Sequence, residues 1–498
     1  MKKGRKVYLS KASIYFIVST IALSSYIVYL VFINYFDATG DNEHIIFVLS
    51  WIGIFLGLFI IWSWHQLTGQ LFTLYTIFVL FFFLFNFGQP LMWAFGIHQP
   101  DEIGAGNLYL FGKATSRNII YTQALTLMSI LMFHLGAVFC YKPRRIKHQL
   151  EVTYANTENK KLSLKALYYA SILLSIIVIP VSLYVSLFDL YYAQLHGYSA
   201  LYYDPNKPSS SLLGVIHYMF LPTLIGLLIG SNYKKKVRYF VYFTFLTYLI
   251  INLLSGDRGS WVYGLVLFIY MSHTFFKKIK VRKMILYGVG GLFFLYIVNA
   301  IVQLRNVGIT AENILEAISF EQFPITTFIF EMGSSMQPAI VLLQYGWDIW
   351  PYSNTYLMAI MGVVSTKIFT LFDVPFSTIG SWFSQEYLGI SYGAGFSIVA
   401  ESLLNYGPVF SPLFMIVLGY VLSSLTYIDK DISIHNQPLR VFFAVATMSS
   451  FIKIARGDLH FTLKSWFFGV LIFIFIIFLI REFLKSKLTP VHSEEVKG

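Results

Sequence analysis

Residues 14–33 read IYFIVSTIALSSYIVYLVFI, a run with no charged side chain. At ~1.5 Å per residue a helix of that length covers the ~30 Å hydrocarbon core of a bilayer. The basic segment Met1–Lys6 precedes it. A cleavable secretory signal has an apolar core of only ~7–15 residues, so the run reads as a retained first membrane helix. Similar runs recur along the whole chain. They predict twelve spans, near 13–35, 45–65, 71–95, 117–141, 163–188, 212–232, 239–254, 260–276, 284–303, 409–427, 440–454 and 463–481. The seventh and eleventh are short, which invites tilt or local thinning of the bilayer.

Composition agrees. Of the 498 residues, 57% are apolar and only 12% charged, against ~25% charged in an ordinary soluble domain. The expected fold class is all-α: a polytopic membrane helical bundle, with residues 1–498 forming a single integral-membrane domain. The formal charge of +12 would suggest nucleic acid in a soluble chain. Here it has a simpler source, because Lys and Arg in short loops set membrane orientation. With the N-terminus in the cytoplasm, 27 of the 36 Lys and Arg fall in cytoplasmic segments under this span map. That bias predicts an N-in, C-in topology. Cys140 is the sole cysteine, so no intrachain disulfide can form. Neither a zinc spacing nor a P-loop occurs; no metal, cofactor or nucleic-acid partner is expected.

The longest segment outside the spans, 304–408, falls on the external side and is too long and apolar for a plain loop. Residues 310–318 open like an amphipathic helix capped by Thr310. Residues 355–372 are apolar but interrupted by Gly362 and Lys367. Interfacial or re-entrant helices are expected there, tolerated where protein or water covers the backbone.

The informative charges are those that break the positive-inside bias. Asp257 and Arg258 lie in Ser255-Gly-Asp-Arg-Gly259, the turn between spans seven and eight. Arg305 follows span nine, and Arg456 lies in Ala455-Arg-Gly-Asp-Leu-His460 between spans eleven and twelve. Arginine suits bidentate phosphate binding, and the flanking glycines let a ligand approach the backbone closely. The plainer reading is that each arginine snorkels to lipid phosphates or pairs with a neighbouring Asp. Three together fit a pyrophosphate site at the outer membrane surface better. A second group is acidic. Glu331 sits in an apolar stretch where a lone carboxylate is costly; Glu401 and Asn405, at i and i+4, share a helix face. Each glutamate either pairs with an arginine or acts as a general base toward a hydroxyl. His460 is a third candidate base, otherwise a rim histidine. Trp347 and Trp350 belong either to the interfacial aromatic belt or to a stacking platform for sugar rings. His134 and His217 lie inside spans and read as hydrogen-bonded bundle residues.

At these residues the chain resembles the O-antigen and capsule repeat-unit polymerases, the Wzy family. The likeness rests on Ser255–Gly259, on Phe330-Glu-Met-Gly-Ser-Ser335, and on Gly393-Ala-Gly-Phe-Ser-Ile-Val-Ala-Glu401 followed by Asn405-Tyr-Gly407. It rests also on the layout of many spans with a large late external segment. The resemblance implies a GT-C-like membrane glycosyltransferase of the bacterial cytoplasmic membrane, its site facing outward. The implied reaction joins undecaprenyl-pyrophosphate-linked oligosaccharides, donor and acceptor, with no metal. It also implies external arginines in substrate binding, matched by Arg258 and Arg305, and a chain-length regulator as partner. Rival readings are a flippase for the same lipid, a glycan ligase and a membrane acyltransferase. A flippase would show repeated halves and charges in the span centres, whereas here the charges cluster toward one face.

Overall fold

The computed structural model describes residues 10–36, 42–100, 102–104, 113–141, 153–198, 200–204, 206–208, 210–257, 259–304, 323–390 and 393–487. Among them every regular element is helical, with no strand. Ten helices are long and apolar enough to cross a membrane. They are α1 (Lys11–Tyr35), α2 (Glu43–Thr68), α3 (Leu74–Trp93), α4 (Ser116–Cys140), α5 (Glu158–His196), α6 (Ser211–Gly230), α7 (Lys235–Leu254), α13 (Ile398–Thr426), α14 (Pro438–Arg456) and α15 (Leu459–Ser486). The expected spans at 260–276 and 284–303 fall on two shorter apolar helices, α8 (Trp261–Phe276) and α9 (Leu286–Val298). The spans expected to be short, the seventh and eleventh, are instead full-length, because Lys235–Arg238 and Ile452–Arg456 extend the helical path beyond the apolar run.

Caps set the helix starts. Ser10, Thr73, Thr115 and Ser397 each accept a hydrogen bond from the backbone N–H three residues on, filling one of the donors a helix N-terminus leaves open. α3 and α4 are the innermost helices, buried over most of their length, while α1 and α2 expose a broad apolar face. In α4, His134 is fully buried between Ser63 on α2 (2.8 Å) and Tyr75 on α3 (2.7 Å). Both ring nitrogens are thereby satisfied, as expected for a bundle histidine. His217 differs: its Nδ1 has no hydrogen-bond partner among the described residues.

Hydrogen bonds define two ends of the bundle. At one end Lys11 donates to the Tyr141 hydroxyl, Gln70 to the Ile428 carbonyl, and Arg440 to the Tyr427 carbonyl. At the other, Asn86 of α3 donates to the Ala455 carbonyl at the end of α14 (2.8 Å), and Tyr29 of α1 donates to the Pro408 carbonyl of α13 (2.8 Å). The described residues 323–390, between α9 and α13, lie at this second end. Their short helices include α10 (Pro324–Gly333), α11 (Gln337–Tyr345) and α12 (Thr355–Met361). The amphipathic helix expected from Thr310 lies outside the described residues. The stretch 355–372 forms two short helices, Thr355–Met361 and Lys367–Leu371, divided at Gly362. Its Leu357, Ile360, Val364, Leu371 and Phe372 are exposed, as an interfacial segment would require.

Candidate functional site

Helix α13 is the organiser. Ser397 caps it, Glu401 lies in its first turn, and the helix breaks at Gly407, whose φ of 67° and ψ of 177° no helix accommodates. Glu401 is fully buried. Its Oε1 accepts from the Thr355 hydroxyl at 2.9 Å and its Oε2 from the Leu459 N–H at 2.8 Å. Asn405, one turn on, accepts from the Thr355 N–H at 2.7 Å and donates to the Thr355 hydroxyl at 2.6 Å. Thr355 opens α12 and Leu459 opens α15. The backbone donors taken up are therefore the orphan N–H groups of two helix starts, where a carboxylate is electrostatically favoured. Glu401 and Asn405 share a face as the sequence predicts. The helices that meet that face come from residues fifty positions away, and Thr355 carried no signal of its own.

The turn between α14 and α15 lies next to this knot. Asp458 caps α15, accepting from the Phe461 N–H at 2.9 Å. Burial pushes its carboxyl up to about 6, against the lowering effect of the Phe461 and His460 N–H groups. His460 is 93% buried with the Phe376 ring 5.4 Å away, and its Nδ1 has no hydrogen-bond partner among the described residues. Arg456 is half-buried. Its guanidinium lies 5.7 Å over the Phe85 ring of α3 and 3.4 Å from the Met332 sulfur of α10. Met332 neighbours Glu331, whose carbonyl accepts from the Ser334 hydroxyl. α10 is held against α3 by Gln89, which donates to the Phe330 carbonyl at 2.9 Å. The contact is glycine on glycine, since a Cβ on Gly333 would come within 2.5 Å of the Gln89 nitrogen.

In the Ser255–Gly259 turn Asp257 accepts from the Gly259 N–H at 3.0 Å, which fixes the turn, and its carbonyl accepts from Trp261. Lys453 feels the Asp257 charge, and Tyr263 of α8 feels both Asp257 and Arg456. Asp257 and Arg456 thus lie within electrostatic range of the same Tyr263, and α10, which carries Glu331, touches Arg456 through Met332. Lys453 is a residue that the motif reading missed. Its signal was present, since it is one of the nine basic residues on the unexpected side. Arg258 and Arg305 lie outside the described residues.

The aromatic group divides. Trp350 packs edge-on against Tyr352 and Trp382, each at 4.9 Å, and Tyr352 donates to Glu386 at 3.1 Å. Trp347 lies elsewhere, against the α13 break, where a Cβ on Gly407 would come within 2.8 Å of its ring. Among the described residues no group of three or more His, Cys, Asp or Glu side chains could hold a metal ion.

The family model for the O-antigen polysaccharide polymerase Wzy matches residues 14–487. The chain belongs to that family. No curated protein and no solved structure matches it. The chain is accordingly a multi-pass membrane O-antigen polysaccharide polymerase, a glycosyl-transferring enzyme of polysaccharide biosynthesis. Membership implies lipid-linked repeat units as substrates. For a Wzy polymerase the arrangement is chemically apt. Cations at a bundle end can stabilise an anionic leaving group, and buried polar groups close by can take a proton.

Proposed function

We propose that this polymerase joins undecaprenyl-pyrophosphate-linked oligosaccharides at the outer face of the bacterial cytoplasmic membrane. The growing glycan passes from its carrier to the non-reducing end of a new lipid-linked unit. The bond from the sugar anomeric carbon to the pyrophosphate oxygen breaks, and the lipid pyrophosphate leaves with the electron pair. A bond from the same carbon to an acceptor hydroxyl forms, and the hydroxyl proton goes to a base. The observation that supports this reading is Arg456 at the end of α14, beside Met332 of α10 and next to the Asp458–Leu459 helix start that Glu401 holds.

In this reading Arg258, Arg305 and Arg456 bind the pyrophosphate, with Lys453 and Asp257 ordering the turns. Glu401, with both oxygens engaged by helix starts, serves as organiser together with Asn405 rather than as the base. The base is then His460 or Glu331. Trp350, in its aromatic rim, supports the glycan. Partners are the two lipid-linked substrates, membrane lipid and a chain-length regulator.

The test uses purified protein and defined undecaprenyl-pyrophosphate repeat units in detergent, where no transport can be scored. A ladder of products is expected from the wild type. Arg258→Ala and Arg456→Ala should each lower the rate by about 10²-fold or more, the scale of removing one charge-stabilising group, while single lipid-linked units persist. Normal ladders from Arg258→Ala would remove that arginine from the site. Absence of a ladder until a different acceptor is supplied would make the chain a ligase.

A further inference from the structure

A cavity opens at the same end of the bundle, beside the α13 break. It measures about 640 Å³ and lies between α1, α4, α11 and the Gly407–Pro408 break. Its lining includes Arg117, Asn118 and Tyr121 of α4, Gln344 of α11, and Trp347. Arg117 is exposed, rests 5.4 Å over the Tyr121 ring, and pairs with no carboxylate among the described residues. The Gln344 Oε1 is buried without a hydrogen-bond partner among them. Beside the cavity, an almost wholly apolar groove of about 480 Å³ runs between α1, α2 and α4. Ile21, Val28 and Phe32 of α1, Phe55 and Phe59 of α2, and Met128 of α4 line it. The two meet at Tyr29, which lines both, and Phe32 packs edge-on against Tyr121 at 5.9 Å.

We propose that the Arg117 cavity and the adjoining groove are a second lipid site, which holds the pyrophosphate and prenyl tail of one of the two lipid-linked substrates. This rests on the reading above, since a polymerase joining two carrier-linked glycans must hold two tails at once. The chemistry is complementary part by part. Arg117 offers a planar guanidinium with no anionic partner in the described chain, suited to phosphate. Gln344 and Asn118 offer amides for phosphate or the first sugar. Trp347 offers an indole face of the kind on which sugar rings stack. The groove offers apolar surface within span-length helices, where a prenyl chain would lie. The cavity borders the α13 break at Pro408, and Glu401 and Asn405 lie on the same helix just before that break, so a substrate seated here would reach toward that knot.

The experiment measures binding and kinetics on the full chain in nanodiscs. Native mass spectrometry with undecaprenyl pyrophosphate should show two bound equivalents for the wild type. One should remain for Arg117→Glu and one for Ala124→Trp, which fills the groove. In the polymerisation assay with single and pre-elongated lipid-linked glycans, Arg117→Glu should raise the KM for one substrate roughly ten-fold or more. The KM for the other should stay unchanged. Because Arg117 is exposed, its variants test the site even where Ala124→Trp does not fold. Two equivalents retained by Arg117→Glu, or displacement of the second by phosphatidylglycerol at equal concentration, would overturn the proposal and leave an ordinary lipid-facing groove. Two equivalents bound without any ladder would instead sink the polymerisation reading and leave the lipid site standing.

Discussion

Asp458 shows how much of the site is set by a single side chain. It is buried, it caps α15, and its neighbour Leu459 donates to Glu401. Two carboxyl groups thus converge on one helix start. The folded-state pKa of Asp458, about 6, lies above its ordinary value of 3.8. The folded chain therefore keeps a proton that the unfolded chain releases between about pH 4 and pH 6. The stabilisation is complete below the lower value and is lost as pH rises through the upper one, by at most about 3 kcal/mol. Asp458→Asn keeps an acceptor for the Phe461 N–H and removes the titration. Compared with that variant, the wild type should lose melting temperature between pH 4 and pH 7.5, and the two should converge at the acid end. Parallel curves would mean that this carboxyl stays ionised throughout. Sequence spacing alone placed Glu401 and Asn405 on one face. It said nothing of Thr355 or Leu459, because both partners arrive through the packing of other helices.

At the scale of elements, α13 explains why a membrane helix is broken where it is. Pro412 has no N–H to give to the Pro408 carbonyl four residues earlier. Tyr29 supplies the missing donor from α1, and Tyr26 adds a hydrogen bond to the next carbonyl, that of Val409 (2.8 Å). Beyond the break α13 packs backbone to backbone against α4. A Cβ on Gly136 would come within 1.9 Å of the Ile416 carbonyl oxygen, and one on Gly419 equally close to that of Phe133. Small residues at such crossings let backbones touch, and van der Waals packing then holds the pair together in lipid. Gly136→Ala should therefore destabilise by about 1–3 kcal/mol or more, despite the better helix propensity of alanine. Gly214→Ala, where nothing lies within 4 Å, should be neutral or slightly stabilising. Equal thermal stability of the two variants in detergent would refute the close crossing. Glycines in a span are visible in a sequence. Which of them carries a crossing is not, since that depends on the face turned to the neighbouring helix.

For the molecule as a whole, the prediction concerns sidedness. The positive-inside bias predicts a cytoplasmic N-terminus, and the hydrogen bonds sort the loops into two ends. Thr115 and the α13 break share one end; Tyr141, Ile428 and Arg440 share the other. In a Cys140→Ser background, Thr115→Cys and His435→Cys each offer one exposed thiol. A membrane-impermeant maleimide added to intact cells is expected to label position 115 and to spare 435 until the cells are opened. The reverse pattern would place the arginine turns in the cytoplasm and end the proposed outward-facing chemistry.

What the amino-acid sequence determined by itself is local: where apolar runs reach the length of a bilayer, where basic residues bias the loops, and where Gly-flanked charges sit in turns. Each of these follows from consecutive residues, so burial in lipid and helix periodicity make them readable without a partner. The tertiary structure alone decided that α10 meets Arg456 at the end of α14, that Glu401 joins two helix starts, and that Trp347 parts from Trp350 to lie on the α13 break. Those outcomes depend on which faces pack across fifty to several hundred residues of chain. That choice is made by close backbone approach and by the need to satisfy every buried polar group, and neither is encoded at any one position.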